Sequence, residues 1–305
     1  MVFKRLASIT DLYYYKKIRR KRKLDKELYD DNPCWSLRRD MLRYYKARKV
    51  EDPELRSAIQ YIKKEGTTIF PYSYAEKYDF RDVVVYTDDE TTLKYVEYLG
   101  YRLYYPIELS DKEIQKIHRN LLIEQDPLSP HCYLSDDFQV GPDDVVLDVG
   151  AAEGIFSLSI VNKVRSIILF EVEERWIEAL KKTFEPWKEK VRIINRYVSD
   201  EDSEETITLD SLAGTFGSDS IFLKLDVEGV EKKALAGAQS ILTSDKYHTR
   251  AVICTYHKQI DYTELSSLME NLHYRIQTTN GYMFFVHDPD IAPPFFRKAM
   301  IRCCK

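Results

Sequence analysis

The sequence predicts an α/β protein whose C-terminal part is a doubly wound, mostly parallel sheet closed by an antiparallel strand. Two observations predict this class. After residue 143, short apolar runs alternate with helical patterns, and the loop after the first run carries two glycines. Strands joined through helices pair in parallel, because a helical crossover returns the chain to the same end of the sheet. We expect residues 126–305 to form this domain and residues 1–125 to form an N-terminal extension, helical and then α+β.

The N-terminal extension begins with a helical pattern and continues with β-strand patterns. Apolar and aromatic residues recur at helical spacing until Gly66 interrupts them. Alternating β-formers predict a strand over residues 83–86 and a hairpin over residues 95–105. A helix is predicted over residues 110–124, before a loop rich in turn-forming residues at 126–130.

The second part of the chain repeats a strand–helix pattern. The predicted strands are residues 145–149, 166–171, 191–198, 221–226 and 250–256, and the predicted helices are residues 154–164, 173–184, 230–242 and 262–272. The first strand is apolar without alternation, as expected for a strand buried on both faces. Asn280-Gly281 lies between the β patterns of residues 274–278 and 282–286 and therefore predicts a closing hairpin.

Composition excludes several classes of protein. No apolar run approaches the roughly 18 residues of a membrane span, and the N-terminus lacks the apolar core of a signal peptide. The five cysteines are odd in number and lack a C-x-x-C pair, which argues against a disulfide framework or a zinc finger. Cys303 and Cys304 are expected to be reduced, exposed thiols. A cytoplasmic enzyme is the class that remains.

A basic run occupies residues 16–23. Such a run binds an anionic membrane surface or an acidic acceptor, or else forms a solvated helix face, and the sequence leaves both interpretations open. The first interpretation places the protein at the inner face of the membrane through a peripheral contact. Nucleic acid is not an expected partner, because the remainder of the chain is acidic.

Polar residues follow four of the predicted strands, where ligands bind in sheets of this kind. They are Asp148 to Gly154 after the first strand, Glu171 at the end of the second, Asp226 to Gly229 after the fourth, and His257 beyond the fifth. The first loop lacks the third glycine of a dinucleotide motif and suits a nucleoside with one ribose. An acid at position 171 is placed to accept hydrogen bonds from ribose hydroxyls. The structural alternative is that Asp148 holds the loop and Glu171 caps the next helix.

Several segments resemble the FkbM family of S-adenosylmethionine-dependent methyltransferases over about residues 129–287: VVLDVGAAEGIFSL, ILFEVEERWIEAL, TITLDSL, FLKLDVEGVEKKALAGAQSIL and TYH. Residues 223–231 are the most specific of them, and Ser-Pro-His-Cys-Tyr at 129–133 matches a segment of members with an N-terminal extension. The resemblance implies a class I methyltransferase fold, with strand order 3-2-1-4-5-7-6. It also implies methylation of hydroxyl groups on sugars, polysaccharides, lipids or polyketide-type products. Departures from the family pattern are Ala152, Val172 and Thr255, where members often carry Asn, Pro and Glu.

Together, the strand-end pattern and the resemblance predict a site for S-adenosylmethionine. The predicted cofactor-binding residues are Asp148, Gly150, Ala151, Ala152, Glu153, Gly154, Glu171, Val172, Ser199 and Asp226.

Methyl transfer to an alcohol requires alignment of the reactants and removal of the hydroxyl proton. We expect His257 to be the general base, because an unperturbed imidazole titrates near neutrality, with Asp226 and Glu228 orienting it or the acceptor. Lys224 and His131 are alternative bases. A divalent cation held by Asp226, Glu228 and His257 is an open alternative that would lower the pKa of the acceptor hydroxyl.

The leading functional hypothesis is an O-methyltransferase for a hydroxyl of a sugar, polysaccharide, glycolipid or related metabolite. Its acceptor is a small molecule or glycan that the N-terminal extension helps to bind. The alternative is a non-catalytic S-adenosylmethionine-binding module with an N-terminal interaction domain. A nicotinamide-dependent oxidoreductase is less favoured, because the third glycine is missing. The sequence defines neither the oligomeric state nor the methylated position.

Overall fold

The computed structural model describes residues 33–305, so the basic run at 16–23 and the start of the predicted N-terminal helical region lie outside the described residues. The N-terminal elements are α1 (Pro33–Lys46), α2 (Pro53–Glu65), β1 (Tyr86–Thr87), β2 (Lys94–Tyr98), β3 (Tyr101–Tyr105) and α3 (Asp111–Glu124). Strands β1, β2 and β3 form a small antiparallel sheet, which confirms the predicted hairpin. The predicted strand at 83–86 is wrong in extent, since the ladder includes only Tyr86 and Thr87.

Sequence explains where these helices begin. Asp52 accepts hydrogen bonds from the amides of Glu54 and Leu55, and Pro53 provides a preset backbone angle at the first position of α2. At α3, Ser110 and Glu113 form a reciprocal capping box. These contacts satisfy amides that no helical carbonyl reaches.

The second part of the chain supplies the main sheet. Its strands are β4 (Val145–Val149), β5 (Ser166–Phe170), β6 (Val191–Ile194), β9 (Ser220–Leu225), β10 (His248–Cys254), β11 (Arg275–Thr278) and β12 (Met300–Cys304), and β7 (Tyr197–Val198) pairs separately with β8 (Thr206–Ile207). Its helices are α4 (Ile155–Ile160), α5 (Glu174–Phe184), α6 (Glu231–Ala236), α7 (Gln239–Thr243) and α8 (Asp261–Asn271).

The seven strands are ordered β6-β5-β4-β9-β10-β12-β11. Numbered along the chain, this order is 3-2-1-4-5-7-6, as the resemblance implied. All neighbours pair in parallel except β12, which is antiparallel to both β10 and β11. The predicted doubly wound, mostly parallel sheet with an antiparallel C-terminal strand is therefore confirmed.

Both faces of the sheet are covered. Val145 and Leu147 pack into one hydrophobic cluster, whereas Val146 packs into another on the opposite face. This second cluster also includes Phe70 and Leu103, so side chains from both sides of residue 125 share one core. The domain boundary at 125/126 stays a prediction.

The predicted hairpin at Asn280-Gly281 is wrong. Gly281 does turn the chain, with φ +88°, but β11 pairs with Met300–Cys304 rather than with residues 282–286. The intervening segment leaves the sheet because its aromatic side chains pack elsewhere. Phe284 joins a cluster with Met41 and Ile62 of the N-terminal helices. The expectation of exposed C-terminal thiols is also wrong for Cys303, which is fully buried in β12.

Two predicted elements are interrupted. The helix predicted over residues 230–242 is divided into α6 and α7, with Gly237 between them. A Cβ at position 237 would lie 1.9 Å from the backbone oxygen of Ser199, so the chain needs glycine where it passes the end of β7. The strand predicted over residues 191–198 is likewise divided, into β6 and β7.

The fold places ligand-binding positions at one edge. Strand β4 is the switch point, because β5 and β9 continue from it in opposite directions across the sheet. Among residues 33–305, no helix is long and apolar enough to cross a membrane.

Candidate active site

The glycine loop after β4 is held close to the end of β9. Gly150 has φ +81°, and a Cβ there would lie 1.9 Å from the backbone oxygen of Asp226. The amides of Gly150 and Ala151 both donate to the Phe170 carbonyl oxygen, at 3.1 and 3.0 Å. Position 150 therefore requires glycine on two grounds, a left-handed backbone and a close backbone approach.

A buried ion pair between Lys224 and Asp148 lies against the glycine loop. Lys224 Nζ lies 3.0 Å from Asp148 Oδ1 and donates to the Gly150 carbonyl oxygen at 2.5 Å. Ser157 Oγ donates to the other oxygen of Asp148 at 2.7 Å. Lys224 thus links Asp148 to the glycine loop, and the roles predicted for Asp148 stay predictions. Burial disfavours the ammonium, but Asp148 and Asp226 outweigh this effect and raise the pKa of Lys224, so Lys224 is a poor base.

A cavity of about 240 Å³ opens beside the loop, at the carboxyl ends of β4, β5, β7 and β9. We call it the strand-end cavity. Its lining residues are Val149, Gly150, Ala152, Phe170, Glu171, Val172, Glu173, Arg196, Tyr197, Val198, Ser199, Asp226, Val227, Glu228, Val230 and Lys233. Most of this surface is apolar, and acidic groups are confined to a few positions.

Glu171 is the buried acid of the strand-end cavity. Its Oε1 accepts from the amides of Val172 and Glu173, and its Oε2 accepts from the amide of Ala152, each at 2.8 Å. A carboxylate offers about four acceptor positions, so about one remains on Oε2 for a ligand hydroxyl. Burial raises the pKa of Glu171 above its ordinary value.

A second cavity, of about 50 Å³, lies between the glycine loop and α3, and we call it the α3 cavity. It is lined by Ile117, Asn120, Leu121, Glu124, Gln125, Tyr133, Gly150, Ala151, Ala152, Glu153, Ile155, Phe156, Lys224 and Asp226. The two cavities share Gly150, Ala152 and Asp226. Glu153 is 6% exposed, and its burial raises the pKa of its carboxyl to about 7.

Asp226 is the most densely contacted carboxylate of the site. Tyr133 Oη donates to its Oδ2 at 2.8 Å, and Tyr256 Oη donates to its Oδ1 at 3.2 Å. His131 Nε2 lies 3.7 Å from Oδ2, and His257 Nε2 lies 3.4 Å from Oδ1. Burial disfavours the ionised carboxylate, but the charge of Lys224 and the neighbouring imidazoles outweigh it and lower the pKa of Asp226 to about 2.

His257 lies between two acids. Its Nδ1 is 2.8 Å from Glu231 Oε1, on the opposite side of the ring from Asp226. Burial disfavours the imidazolium, but Glu231 and its neighbouring carboxylates outweigh that effect and raise the pKa of His257 to about 9. The ring is therefore a cation at neutral pH. A group that already holds its proton does not accept another, so this raised pKa argues against His257 as a general base, and the role stays a prediction.

His131 has the opposite electrostatic character. It is 1% exposed, and burial lowers its pKa to about 4, so the ring is neutral at pH 7. Its Nε2 lies 3.6 Å from Cys254 Sγ. Neither His131 nor His257 lines the strand-end cavity or the α3 cavity.

The structure distributes the predicted site residues among several positions. Gly150, Ala152, Glu171, Val172, Ser199, Asp226 and Glu228 line the strand-end cavity, and Ala151, Glu153 and Lys224 line the α3 cavity. Asp148 and Gly154 line neither. Gly154 begins α4, where a Cβ would lie 2.7 Å from Leu180 Cδ2. The roles predicted for these residues stay predictions.

The predicted metal set is not assembled as expected. Among the described residues, Asp226 and His257 group with Glu231, and Glu228 does not belong to that group. Glu228 has φ +57° and lines the strand-end cavity instead. The backbone turns sharply at Glu228-Gly229, where both residues have positive φ, and Glu231 Oε1 lies 2.8 Å from His257 Nδ1. The charge of Glu228 also contributes to the raised pKa of His257.

Sequence reasoning missed two further features. Glu231 stands within the specific 223–231 segment but was not assigned a role. The second feature is a set of polar residues that line the α3 cavity. Asn120 and Glu124 of α3 and Gln125 just after it follow an ordinary amphipathic pattern, so no local signal marks them. Their placement depends on how α3 packs on the glycine loop.

A sheet of this strand order, with a glycine loop and an acid at the ends of its first two strands, defines a class I methyltransferase fold. Residues 105–276 match the family model described as the methyltransferase FkbM domain, and the chain belongs to this family. The match begins earlier than the resemblance at 129–287, and it includes α3. No curated protein matches the chain significantly.

Solved structures give distant matches. An FkbM methyltransferase from Methylobacillus flagellatus KT has a TM-score of 0.43 and 15% identity, over 63% of this chain and 53% of that one. The chain thus spans about half of the length of that protein. A putative tRNA (m1A22) methyltransferase from Streptococcus pneumoniae, solved with S-adenosyl-L-methionine, has a TM-score of 0.34 and 15% identity, over 53% and 65%. A putative RNA methyltransferase from Pyrococcus horikoshii has a TM-score of 0.33 and 15% identity, over 52% and 72%.

S-adenosylmethionine is the cofactor of this enzyme class, and the strand-end cavity fits it. The close approach at Gly150 leaves no room for a side chain on the loop, and the apolar walls suit a flat base. Glu171 retains about one acceptor position, which can bind one ribose hydroxyl. A second ribose hydroxyl could bind only if it displaced the amide of Ala152 from Glu171. The anionic Asp226 at the far end suits a sulfonium cation.

Proposed function

We propose that this protein is an S-adenosylmethionine-dependent O-methyltransferase that methylates a hydroxyl group of a sugar, glycan, glycolipid or related metabolite. The observation that carries the proposal is the meeting of two cavities at Gly150, Ala152 and Asp226. Methyl transfer is an in-line displacement, so donor and acceptor must approach one point from different sides. In this proposal, the cofactor occupies the strand-end cavity and the acceptor enters the α3 cavity.

The lining of the α3 cavity supports a hydroxyl acceptor. Asn120 and Glu153 bring an amide and a carboxyl group to this lining, and such groups hydrogen-bond hydroxyls. The amide of Gln125 also lies there and is held by His131 and Tyr133. A volume of about 50 Å³ holds roughly four water-sized groups, enough for the reacting edge of a larger acceptor. The remainder of the acceptor would extend past α3 toward solvent.

Glu153 is our candidate for the group that removes the hydroxyl proton. A general base is most effective when its pKa lies near the working pH, and burial places the pKa of Glu153 at about 7. His257 and Lys224 are held as cations. In this scheme bound S-adenosylmethionine would supply the methyl group, with the sulfur–methyl bond breaking as the oxygen–methyl bond forms and S-adenosylhomocysteine leaving. Glu153 would accept the hydroxyl proton, and the cation His257 keeps Asp226 ionised and oriented.

The cofactor site is tested by calorimetric titration with S-adenosylhomocysteine. Glu171→Ala is expected to weaken binding at least tenfold (~1.4 kcal/mol), because it removes the acceptor at the ribose. Glu178→Ala is the control, since Glu178 is an exposed glutamate in α5 that does not line the strand-end cavity. Absence of binding by folded wild type would refute the proposed function. Equal affinity in both variants would show that the ribose does not contact Glu171.

The base is tested by turnover. Release of S-adenosylhomocysteine is measured against a panel of monosaccharide glycosides and glycolipids, and then across pH with the best acceptor. Glu153→Gln should lower kcat by about 100-fold or more, the usual size of a general-base contribution, and abolish an acidic limb near pH 7, while S-adenosylhomocysteine affinity stays unchanged. Loss of that affinity instead would make Glu153 a cofactor ligand, as the sequence predicted. Turnover with RNA and with none of the saccharides would overturn the acceptor class.

A further inference from the structure

Three buried side chains from separate segments, His131, Asp226 and Cys254, lie close together beside the site. His131 comes from the loop before β4, Asp226 follows β9, and Cys254 ends β10. One ligand atom from each lies within 4.8 Å of the other two, and all three residues are buried. We infer that His131, Cys254 and Asp226 form a binding site for one zinc ion. The inference does not depend on the proposed function.

The distances are compatible with a metal ion among the three groups. His131 Nε2 is 3.6 Å from Cys254 Sγ, the length of a hydrogen bond to sulfur, and 3.7 Å from Asp226 Oδ2, which is too long for a nitrogen–oxygen hydrogen bond. Zinc bonds of about 2.0 Å to nitrogen or oxygen and 2.3 Å to sulfur, arranged as a tetrahedron, separate ligand atoms by about 3.3–3.6 Å. The nitrogen–sulfur separation equals an edge of that tetrahedron, the nitrogen–oxygen separation is slightly longer than its edge, and the sulfur and oxygen atoms lie within 4.8 Å of each other.

The type of ligand also favours zinc. One imidazole, one thiolate and one carboxylate form a mixed nitrogen, sulfur and oxygen set, which zinc accepts and which magnesium or calcium does not. Tyr133 Oη and Tyr256 Oη hold the two oxygens of Asp226, at 2.8 and 3.2 Å, and so orient the carboxylate from a second shell. The rings of Phe70, Tyr133 and Tyr256 surround His131.

The neighbouring group of Asp226, Glu231 and His257 is a poorer site. The two nitrogens of His257 face different carboxylates, Nδ1 toward Glu231 and Nε2 toward Asp226. Ring nitrogens point in different directions, so an ion bound to one nitrogen of His257 faces one of these acids more directly than the other. Glu231 Oε1 moreover accepts from the amides of Val227 and Gly229, each at 3.2 Å.

Zinc would connect three segments that are distant in sequence. It would fix the loop of residues 129–133 to the ends of β9 and β10, beside the point where the two cavities meet. Three protein ligands leave a fourth coordination position for an oxygen. Binding replaces the thiol proton of Cys254, which is released to solvent, so zinc affinity is expected to fall as pH falls.

The experiment measures metal directly, without turnover. The full chain is dialysed against a chelator and then titrated with Co²⁺, a spectroscopic substitute for zinc, and zinc content is measured by mass spectrometry after equilibration with Zn²⁺. We expect one ion per chain, tetrahedral cobalt absorption and a near-ultraviolet thiolate-to-cobalt band. Cys254→Ser should abolish that band and weaken zinc binding at least tenfold, and His131→Ala should also weaken it at least tenfold.

Cys132→Ser is the matched control. Its thiol lies in the same loop as His131 but contacts the carbonyl oxygens of Gln125 and Leu134, at 3.6 and 3.3 Å. This variant should keep the band and the metal. Circular dichroism checks that each variant is folded. The cobalt spectrum of the wild type tests the inference even if a variant fails to fold. Folded wild type without a thiolate band overturns the inference, and so does a band that persists in Cys254→Ser or disappears in Cys132→Ser.

Discussion

Glu153 allows the electrostatics of the site to be tested without an acceptor. Its carboxyl has an ordinary pKa of 4.5, and burial raises the pKa to about 7 in the folded chain. The folded state therefore keeps this proton to a higher pH than the unfolded state does. Stability associated with Glu153 is fully present below pH 4.5 and is lost as pH rises through about 7.

The size of the effect follows from the shift. A difference of about 2.5 pKa units, at 1.36 kcal/mol per unit, is about 3 kcal/mol. Glu153→Gln replaces the acid with a neutral amide of similar size, which does not need to ionise. Relative to wild type, the variant should gain free energy of unfolding between pH 5 and pH 8, by about 2–3 kcal/mol across this interval.

The assay is urea unfolding of the cofactor-free protein at several pH values between 5 and 9, followed by circular dichroism. Glu178→Gln is the control, because an exposed glutamate should give the same small difference at every pH. The quantity that matters is the change of the variant-minus-wild-type difference with pH, so a constant cost of placing an amide at position 153 cancels. A difference that stays flat from pH 5 to 9 would refute a pKa near 7 and with it the role of Glu153 as base.

Two further substitutions test how the glycine loop is held. Gly150→Ala should destabilise the fold by several kcal/mol and abolish S-adenosylhomocysteine binding, because the added Cβ meets the Asp226 backbone oxygen at 1.9 Å. Gly217→Ala is the control, because Gly217 has φ +65° and open space around its Cβ. This control measures the backbone strain alone, which is about 1–2 kcal/mol. Equal losses in these two variants, measured by urea unfolding, would contradict the close approach. Lys224→Met should cost about 3–5 kcal/mol in the same assay, because it leaves Asp148 buried without its partner. A loss below about 1 kcal/mol would show that the ion pair contributes little.

The sheet was predictable because its signals are local. Val145 to Val149 is apolar except for Asp148 and is buried at every position, and Ser166–Phe170 and Ser220–Leu225 are buried along almost their whole length. The hairpin at Asn280-Gly281 was mispredicted for a non-local reason. A turn signal specifies the turn but not the partner, and the side chains of Phe284 and Phe296 stabilise packing against the N-terminal helices instead.

In the candidate site, the positions of residues were predictable but their protonation states were not. Residues at strand ends must come to one edge, so the positions of Asp226 and His257 followed from the sheet alone. Protonation did not follow, because it depends on which acid faces the ring. The left-handed backbone of Glu228 turns the chain so that Glu231 contacts His257 at 2.8 Å, and this contact makes the ring a cation. A one-dimensional spacing of acids does not contain that information.

Selection of the acceptor should reside in α3 rather than in the sheet. In the proposed reaction, the cofactor occupies the cavity formed by strand ends, which any nucleoside-binding sheet of this order provides. The acceptor side differs, because one of its walls is α3, an element with no counterpart in the strand–helix repeat. Asn120 and Glu124 lie one turn apart on that wall, so both side chains reach the same cavity. Substitutions at these two positions should therefore change which acceptor is methylated while cofactor affinity is retained, whereas substitutions at Glu171 should change cofactor affinity for every acceptor.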